Sequence, residues 1–329
     1  MAEISKLSGV AIANVAKVDA VTKANIANIN DLTIPAGLPS PTAAYSMRLL
    51  SDYVSYSGPA MRIRRSGDDI EADVEFDTNN EISLTSPISN ASSGTYTDLA
   101  DFVDHTGTPR DAFVDEWKDQ SGNAYHAAQG TATSQPKLYD ATTGLITENG
   151  KSAMDFDGGD VLEYDWPQVG SQLWGEDMSW FTTCAPDAGG FGVVTVQDQS
   201  TISVRLSQYH GTSSPYYILI LAASGNLFLT SSTTLTTGQR LLGLNSVFTS
   251  TTDRDFTSYL NGAQVATGNH TGSYADNAGP PVFDKLRIGV QYTQYFNGRM
   301  QEVLMYSGDV TTDRADIENN INGHFSIYT

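Results

Sequence analysis

Cysteine is nearly absent. Cys184 is the only one in 329 residues, which excludes an internal disulfide framework and any multi-cysteine zinc site. Charge is scarce too, at 17% of residues against a usual quarter. What charge there is leans acid: 38 Asp and Glu stand against 18 Lys and Arg, a net −20. That sign repels phosphate backbones and acidic lipid headgroups, so neither a nucleic-acid partner nor an anionic membrane surface is expected. No apolar run approaches the 18 residues a membrane-spanning helix needs, so no membrane insertion is expected. The first thirty residues hold Lys6, Lys17 and Lys23 with no continuous apolar stretch, and they do not read as a signal peptide.

What the sequence does have is turn and strand chemistry. It carries 29 Gly, 16 Tyr and 12 Phe, a mixture suited to short strands joined by polar turns. Strand candidates fall at 153–157, 161–164, 179–183, 191–197, 201–207, 216–222, 226–230, 240–248, 255–260, 285–290 and 299–306. Ala60 to Arg65 alternates and stops at the turn cluster Ser66-Gly67-Asp68-Asp69. Asn261-Gly262 and Ser224-Gly225-Asn226 signal hairpins. Helix is expected only near 96–103, where Leu99, Phe102 and Val103 follow Thr97-Asp98, and near 313–324. There Asp313 or Thr312 would cap, Ile317 and Ile321 would face inward, and Gly323 would close the helix. The expected fold is all-β, an antiparallel β-sandwich or jelly roll filling 43–329 as one body.

Ahead of it lie three eleven-residue units: ISKLSGVAIAN, VAKVDAVTKAN and IANINDLTIPA, over residues 4–36. Apolar residues recur at the first position (Ile4, Val15, Ile26), the fourth (Leu7, Val18, Ile29) and the seventh (Val10, Val21, Leu32). Eleven residues are 3.67 per helical turn, compatible with a right-handed helical coil. The β-branched and Asn content favours extended structure instead, and the pattern leaves both open. A thin segment with an apolar row needs a partner surface. Residues 1–35 therefore read as an attachment or oligomerisation arm, giving a homo-oligomer such as a trimer, with a frayed leader as the alternative. Pro35, Gly37, Pro39 and Pro41 mark a linker, 36–42.

Asp155, Asp157 and Asp160 could converge on calcium, since alternate strand residues share a face, but a solvated strand edge and turn is the favoured reading. The five histidines show no ligand spacing, and there is no Gly-x-Ser-x-Gly elbow or phosphate loop. No cofactor is called for. Cys184 reads as a quiet buried thiol. Aromatics in loops offer apolar platforms for sugar rings. Trp174, Tyr209, Tyr292 and Tyr295 are the carbohydrate-binding candidates.

Two stretches carry a family likeness. Residues 256–268 (FTSYLNGAQVATG) with 286–325 resemble the closing half of a laminin-G-like, concanavalin A-like jelly roll, through Ile288-Gly289, Phe296, Gly298 and Glu302. MDFDGGDVLEY (154–164) resembles an early strand of that fold. The front half, through Ala44 to Leu50, Gly58 to Arg65 and Trp117-Lys118-Asp119-Gln120-Ser121-Gly122-Asn123, resembles the catalytic sandwich of arabinofuranosidase B-type glycoside hydrolases.

That family's nucleophilic Glu would fall at Ser224, and the loop 290–295, where its acid would lie, has no carboxylate. A serine without a base is no substitute for a carboxylate nucleophile, so the resemblance implies a sandwich that is not an enzyme. Paired with a repetitive arm, it looks like a bacteriophage virion structural protein, a tail fibre or capsid appendage. Its arm would bind other virion proteins and its sandwich a host-surface glycan. The alternatives are an arabinofuranosidase-like hydrolase and a cement protein without ligand.

Overall fold

The structure, a computed structural model, describes residues 17–18, 21–22, 28–29, 32–33, 37–165, 177–187, 191–197, 205–210, 217–222, 225–230, 238–250, 253–271 and 285–329. The chain divides into two compact units, Met1–Leu38 and Pro39–Thr329. In the first, Lys17–Val18 pairs antiparallel with Val21–Thr22, and Asn28–Ile29 with Leu32–Thr33. Of the two readings of the eleven-residue repeat, the described residues adopt the extended one.

The second unit is built of antiparallel strands. Besides short two-residue pieces at Ile88–Ser89, Gly144–Leu145, Thr147–Glu148 and Lys151–Ser152, these are in chain order β1 (Ala43–Ser46), β2 (Met61–Arg65), β3 (Glu71–Val74), β4 (Ala112–Trp117), β5 (Ala127–Ala128), β6 (Lys137–Asp140), β7 (Met154–Asp157) and β8 (Leu162–Asp165). There follow β9 (Met178–Pro186), β10 (Phe191–Gln197), β11 (Arg205–His210), β12 (Tyr217–Ala222), β13 (Gly225–Thr230), β14 (Arg240–Ser250), β15 (Asp253–Leu260) and β16 (Ala263–Thr271). The last are β17 (Lys285–Ile288), β18 (Val290–Gln291), β19 (Gln294–Tyr295) and β20 (Asn297–Tyr306). The helices are α1 (Leu99–Val103) and α2 (Arg314–Phe325).

Hydrogen bonding arranges the strands in two rows. One runs β20–β9–β14–β15–β16, with β1 and β7 sharing the other edge of β20. The second runs β3–β2–β4–β5–β8–β17–β10–β11–β12–β13. Strand β6 bonds to both β4 and β7 and so joins the rows. This is the expected antiparallel sandwich. Its alternating residues, such as Met61 and Ile63 on β2, face a core that includes Trp117, Phe156 and Trp180, all fully buried.

One ion pair ties the beginning of the body to its end. Glu302 on β20 is fully buried and takes Arg48 Nε at 2.9 Å and Nη2 at 3.1 Å, with Ser46 Oγ at 2.6 Å. The carboxylate beside it holds the Arg48 guanidinium in its charged form, against the burial that opposes charge. The Asp-Gln-Ser-Gly-Asn run does similar work. Asp119, 1% exposed, accepts from the backbone N–H of Ala44, Ser121 and Tyr125 and from the Ser121 hydroxyl. Gln120 bonds Leu50 N and the Arg48 carbonyl. These polar residues are spent on the fold.

Several local expectations need correction. α1 begins at Leu99, after an Asp98 cap that accepts from Asp101 N, so Tyr96 and Thr97 precede it. In α2, Ile317 and Ile321 are buried as expected, but Gly323 lies within the helix. The helix closes at Ser326, whose φ of 53° is left-handed. Asn322 stabilises the end by accepting from Ile327 N and Tyr328 N. Strand β4 was not among the expected strands, because Asp115 and Glu116 interrupt its alternation. The Asn261-Gly262 turn is as expected, both residues having positive φ between paired Leu260 and Ala263.

Candidate functional site

The registers of the second row place one line of residues on its outer face. Across the strands it reads Asp73, Arg62, Glu116, Ala128, Glu163, Arg287, Thr195 and Ser207. The opposite face buries Ile63, Val114, Leu162, Ile288, Val194 and Leu206. Charges alternate along the line. Arg62 bridges Asp73 at 3.0 Å and Glu71 at 3.2 Å. Glu116 pairs with Lys118. Glu163 takes Arg287 Nε at 2.7 Å and Lys285 Nζ at 3.0 Å. Between the two glutamates stands Ala128, exposed and without a polar group. Strands lie about 4.8 Å apart, so Glu116 and Glu163 spring from backbones roughly 10 Å apart with a small residue between them.

A bulge adds a second carboxylate at Glu116. Arg62 pairs with Glu116 and Ile63 with Val114, which leaves Asp115 as an extra residue on β4. Buried Val114 and Trp117 flank it, and Asp115 and Glu116 are both partly exposed. Burial pushes the Asp115 carboxyl up to about 6, and the nearby Glu71 adds to the shift while Arg62 opposes it. Its Oδ1 is buried and has no hydrogen-bond partner among the described residues. A carboxyl that takes up its proton in mildly acid solution, well above the usual carboxylate range, and has an unused oxygen is a hydrogen-bonding group held ready, at a fold cost.

The other end of the line is bounded by the hairpin β18–β19. Thr195 Oγ1 lies 2.9 Å from both Ser207 Oγ and the Val290 carbonyl oxygen, so the hairpin folds back over the outer face of β10. The approach is close: a Cβ on Gly192 would stand 2.0 Å from Gln291 Cβ. Gly289, at φ 94°, makes the entry turn against Phe156. Tyr292, at the tip, is 50% exposed and has a left-handed φ of 57°, uncommon for an aromatic residue. Its carbonyl accepts from Arg287 Nη1 at 3.4 Å, which anchors the tip beside the charged line. Strain of this kind at an exposed ring is a pointer to function.

The four expected sugar-binding residues fare differently. Tyr292 and Tyr295 share the hairpin, Tyr295 paired with Val290 and half-buried. Tyr209 was placed in a loop, but its backbone lies in β11 opposite Gly192 and Tyr217, and its side chain is outside the described residues. Trp174 and Ser224 also lie outside the described residues. Asp155, Asp157 and Asp160 do not gather round a common point. Asp160 accepts from Asp157 N at 2.8 Å, and Asp157 from Gly159 N at 2.8 Å, so they stitch the turn between β7 and β8. Burial raises Asp160 to about 7. Among the described residues no group of three or more His, Cys, Asp and Glu side chains is placed to hold a metal ion. Cys184 is buried, its thiol pushed up to about 12 by burial.

The charged line itself was not foreseen. Arg62 stands out in the sequence only as part of a motif, and the signal for Asp115 is the broken alternation Val-Asp-Glu-Trp, which indicates a bulge only when β4 is already known to be a strand.

No known protein family matches the chain by sequence, nor does any curated protein. Solved structures do. An arabinofuranosidase complexed with arabinofuranosyl-alpha-1,2-xylobiose superposes with a TM-score of 0.55 at 15% identity, covering 87% of this chain and 63% of the other. A GH54 α-L-arabinofuranosidase soaked with a cyclic sulfate inhibitor gives 0.58 at 16% identity, over 85% and 62%. The chain thus spans less than two thirds of the length of either. The shared property is the fold, the β-sandwich of carbohydrate-active proteins. It overturns the expectation that the chain is not an enzyme: most of its length is folded as glycoside hydrolases are. That expectation leaned on Ser224, which the described residues do not include, and on the lack of a carboxylate in the loop 290–295.

Proposed function

We propose that the sandwich recognises carbohydrate on the outer face of its second row of strands, between the Asp115–Glu116 bulge and the Tyr292 hairpin. The observation that carries this reading is the exposed Ala128 set between Glu116 and Glu163, with Arg287 beside Glu163 and the backbone carbonyl of exposed Tyr292 on Arg287. Sugar hydroxyls donate to carboxylates and accept from guanidinium, and a ring's C–H face lies on an aromatic. A body carrying the chain's excess of acid disfavours anionic glycans. The ligand is therefore a neutral saccharide, and a pentose-containing oligosaccharide is the first to test.

A second reading, hydrolysis of that saccharide, is favoured by Asp115. A glycosidase acid must hold its proton near working pH while a second carboxylate stays ionised. Asp115 has the first property. Glu163, bridged to Lys285 and Arg287, is the second carboxylate on the same line of residues.

Display on a phage particle through residues 1–35 belongs to the same proposal and rests on the repeated arm and the sequence resemblance alone. Antibody labelling of purified particles tests that placement.

Calorimetric titration with arabino-oligosaccharides, alongside an aryl arabinofuranoside assay, tests both readings. Saturable binding weakened by Glu163→Gln supports recognition. Turnover lost in Asp115→Asn supports hydrolysis. Absence of binding across neutral saccharides overturns both.

A further inference from the structure

We propose that the N-terminal arm is a self-association element, in which copies of this chain join in register through the hairpins at 17–22 and 28–33. The first hairpin pairs Lys17 with Thr22 and Val18 with Val21, and the second pairs Asn28 with Thr33 and Ile29 with Leu32. Every paired position of the second is that of the first moved by eleven residues, the period of the sequence repeat. The innermost facing pair is apolar in both hairpins, and it comprises the fourth and seventh positions of the unit.

Such hairpins need a partner. Strands of two residues are far short of what an isolated hairpin requires in water, and a repeat unit cannot bury its apolar row alone. A second copy laid parallel and in register is the occupant that fits. It presents the same apolar pair at the same spacing in every layer, whereas an unrelated partner would need its own eleven-residue repeat.

Charge points the same way. Residues 1–38 hold Glu3, Asp19 and Asp31 against Lys6, Lys17 and Lys23, so their net charge is zero. With 38 − 3 = 35 acids and 18 − 3 = 15 bases, residues 39–329 carry the whole −20. Copies of the body repel one another, while the arms can approach without that penalty.

The inference does not depend on the carbohydrate reading. If both hold, association multiplies weak sugar sites on one particle, and avidity exceeds the affinity of a single site.

Sedimentation equilibrium of the full-length chain tests it. The expected result is a closed oligomer that becomes monomeric when Val18, Val21, Ile29 and Leu32 are replaced together by Asp, with the thermal transition of the body unmoved. A second pair of variants probes register. Inserting another copy of the unit 15–25 after residue 25 should preserve the oligomer, whereas inserting five residues there should dissociate it. A monomeric full-length chain overturns the proposal. So does an oligomer that survives the four Asp substitutions, or one indifferent to the length of the insertion.

Discussion

The Arg48–Glu302 pair and the Asp115–Glu116 bulge use the same chemistry in the same sandwich to opposite ends. Glu302 is fully buried, and both its oxygens are bonded by a guanidinium, one of them also by a hydroxyl. Asp115 is half-buried with one oxygen unpartnered among the described residues. A satisfied buried charge stabilises a packing arrangement and is closed to anything else. An incompletely satisfied one costs stability in the free protein, a cost that a ligand hydroxyl can remove. Asp160 is intermediate: buried, with a backbone N–H as donor but no cation.

The largest effect should come from breaking the satisfied pair. Glu302→Ala leaves Arg48 charged in the interior, and a loss of about 3–5 kcal/mol is expected in denaturant unfolding. Next is Asp160. Its folded pKa, about 7, lies above the unfolded value near 3.9. The contribution of its neutral form is thus complete below pH 4 and is lost as pH rises to about 7. Asp160→Asn should remove that loss and make the protein more stable at pH 8 by roughly 2–4 kcal/mol, with no gain at pH 4.

Smaller effects separate function from stability. Asp115→Asn should weaken saccharide binding about tenfold, near 1.4 kcal/mol, without lowering the melting temperature at pH 7. A melting point that fell as far as for Glu302→Ala would make Asp115 structural. Least of all, Tyr292→Ala should reduce affinity roughly three- to tenfold, about 0.5–1.5 kcal/mol. Losing the ring also relieves little of the left-handed strain, so stability should change slightly. Calorimetry and thermal melts on the same samples check both.

The legible part of this protein is the local part. The strands that alternate cleanly, the Asn261-Gly262 turn and the apolar face of α2 were readable because period and turn chemistry act over a few residues. Tyr292 was readable as an exposed position for the same reason, whereas Tyr295 is half-buried. Strand β4 was not, because a bulge breaks the period that identifies a strand.

What only the tertiary structure decided is which residues meet. Glu116, Glu163 and Arg287 are scattered over some 170 positions of sequence and become neighbours through the registers of β4, β5, β8 and β17. Asp119 and Glu302, which in sequence could pass for site carboxylates, were assigned to the fold by the groups that enclose them. The sequence by itself determined the strand class, the acid excess and the eleven-residue period, since each is a property of composition or spacing. Pairing between strands is set by the burial of distant apolar faces against one another, and it alone brings Glu116, Glu163 and the Arg287 guanidinium into one line across the sheet.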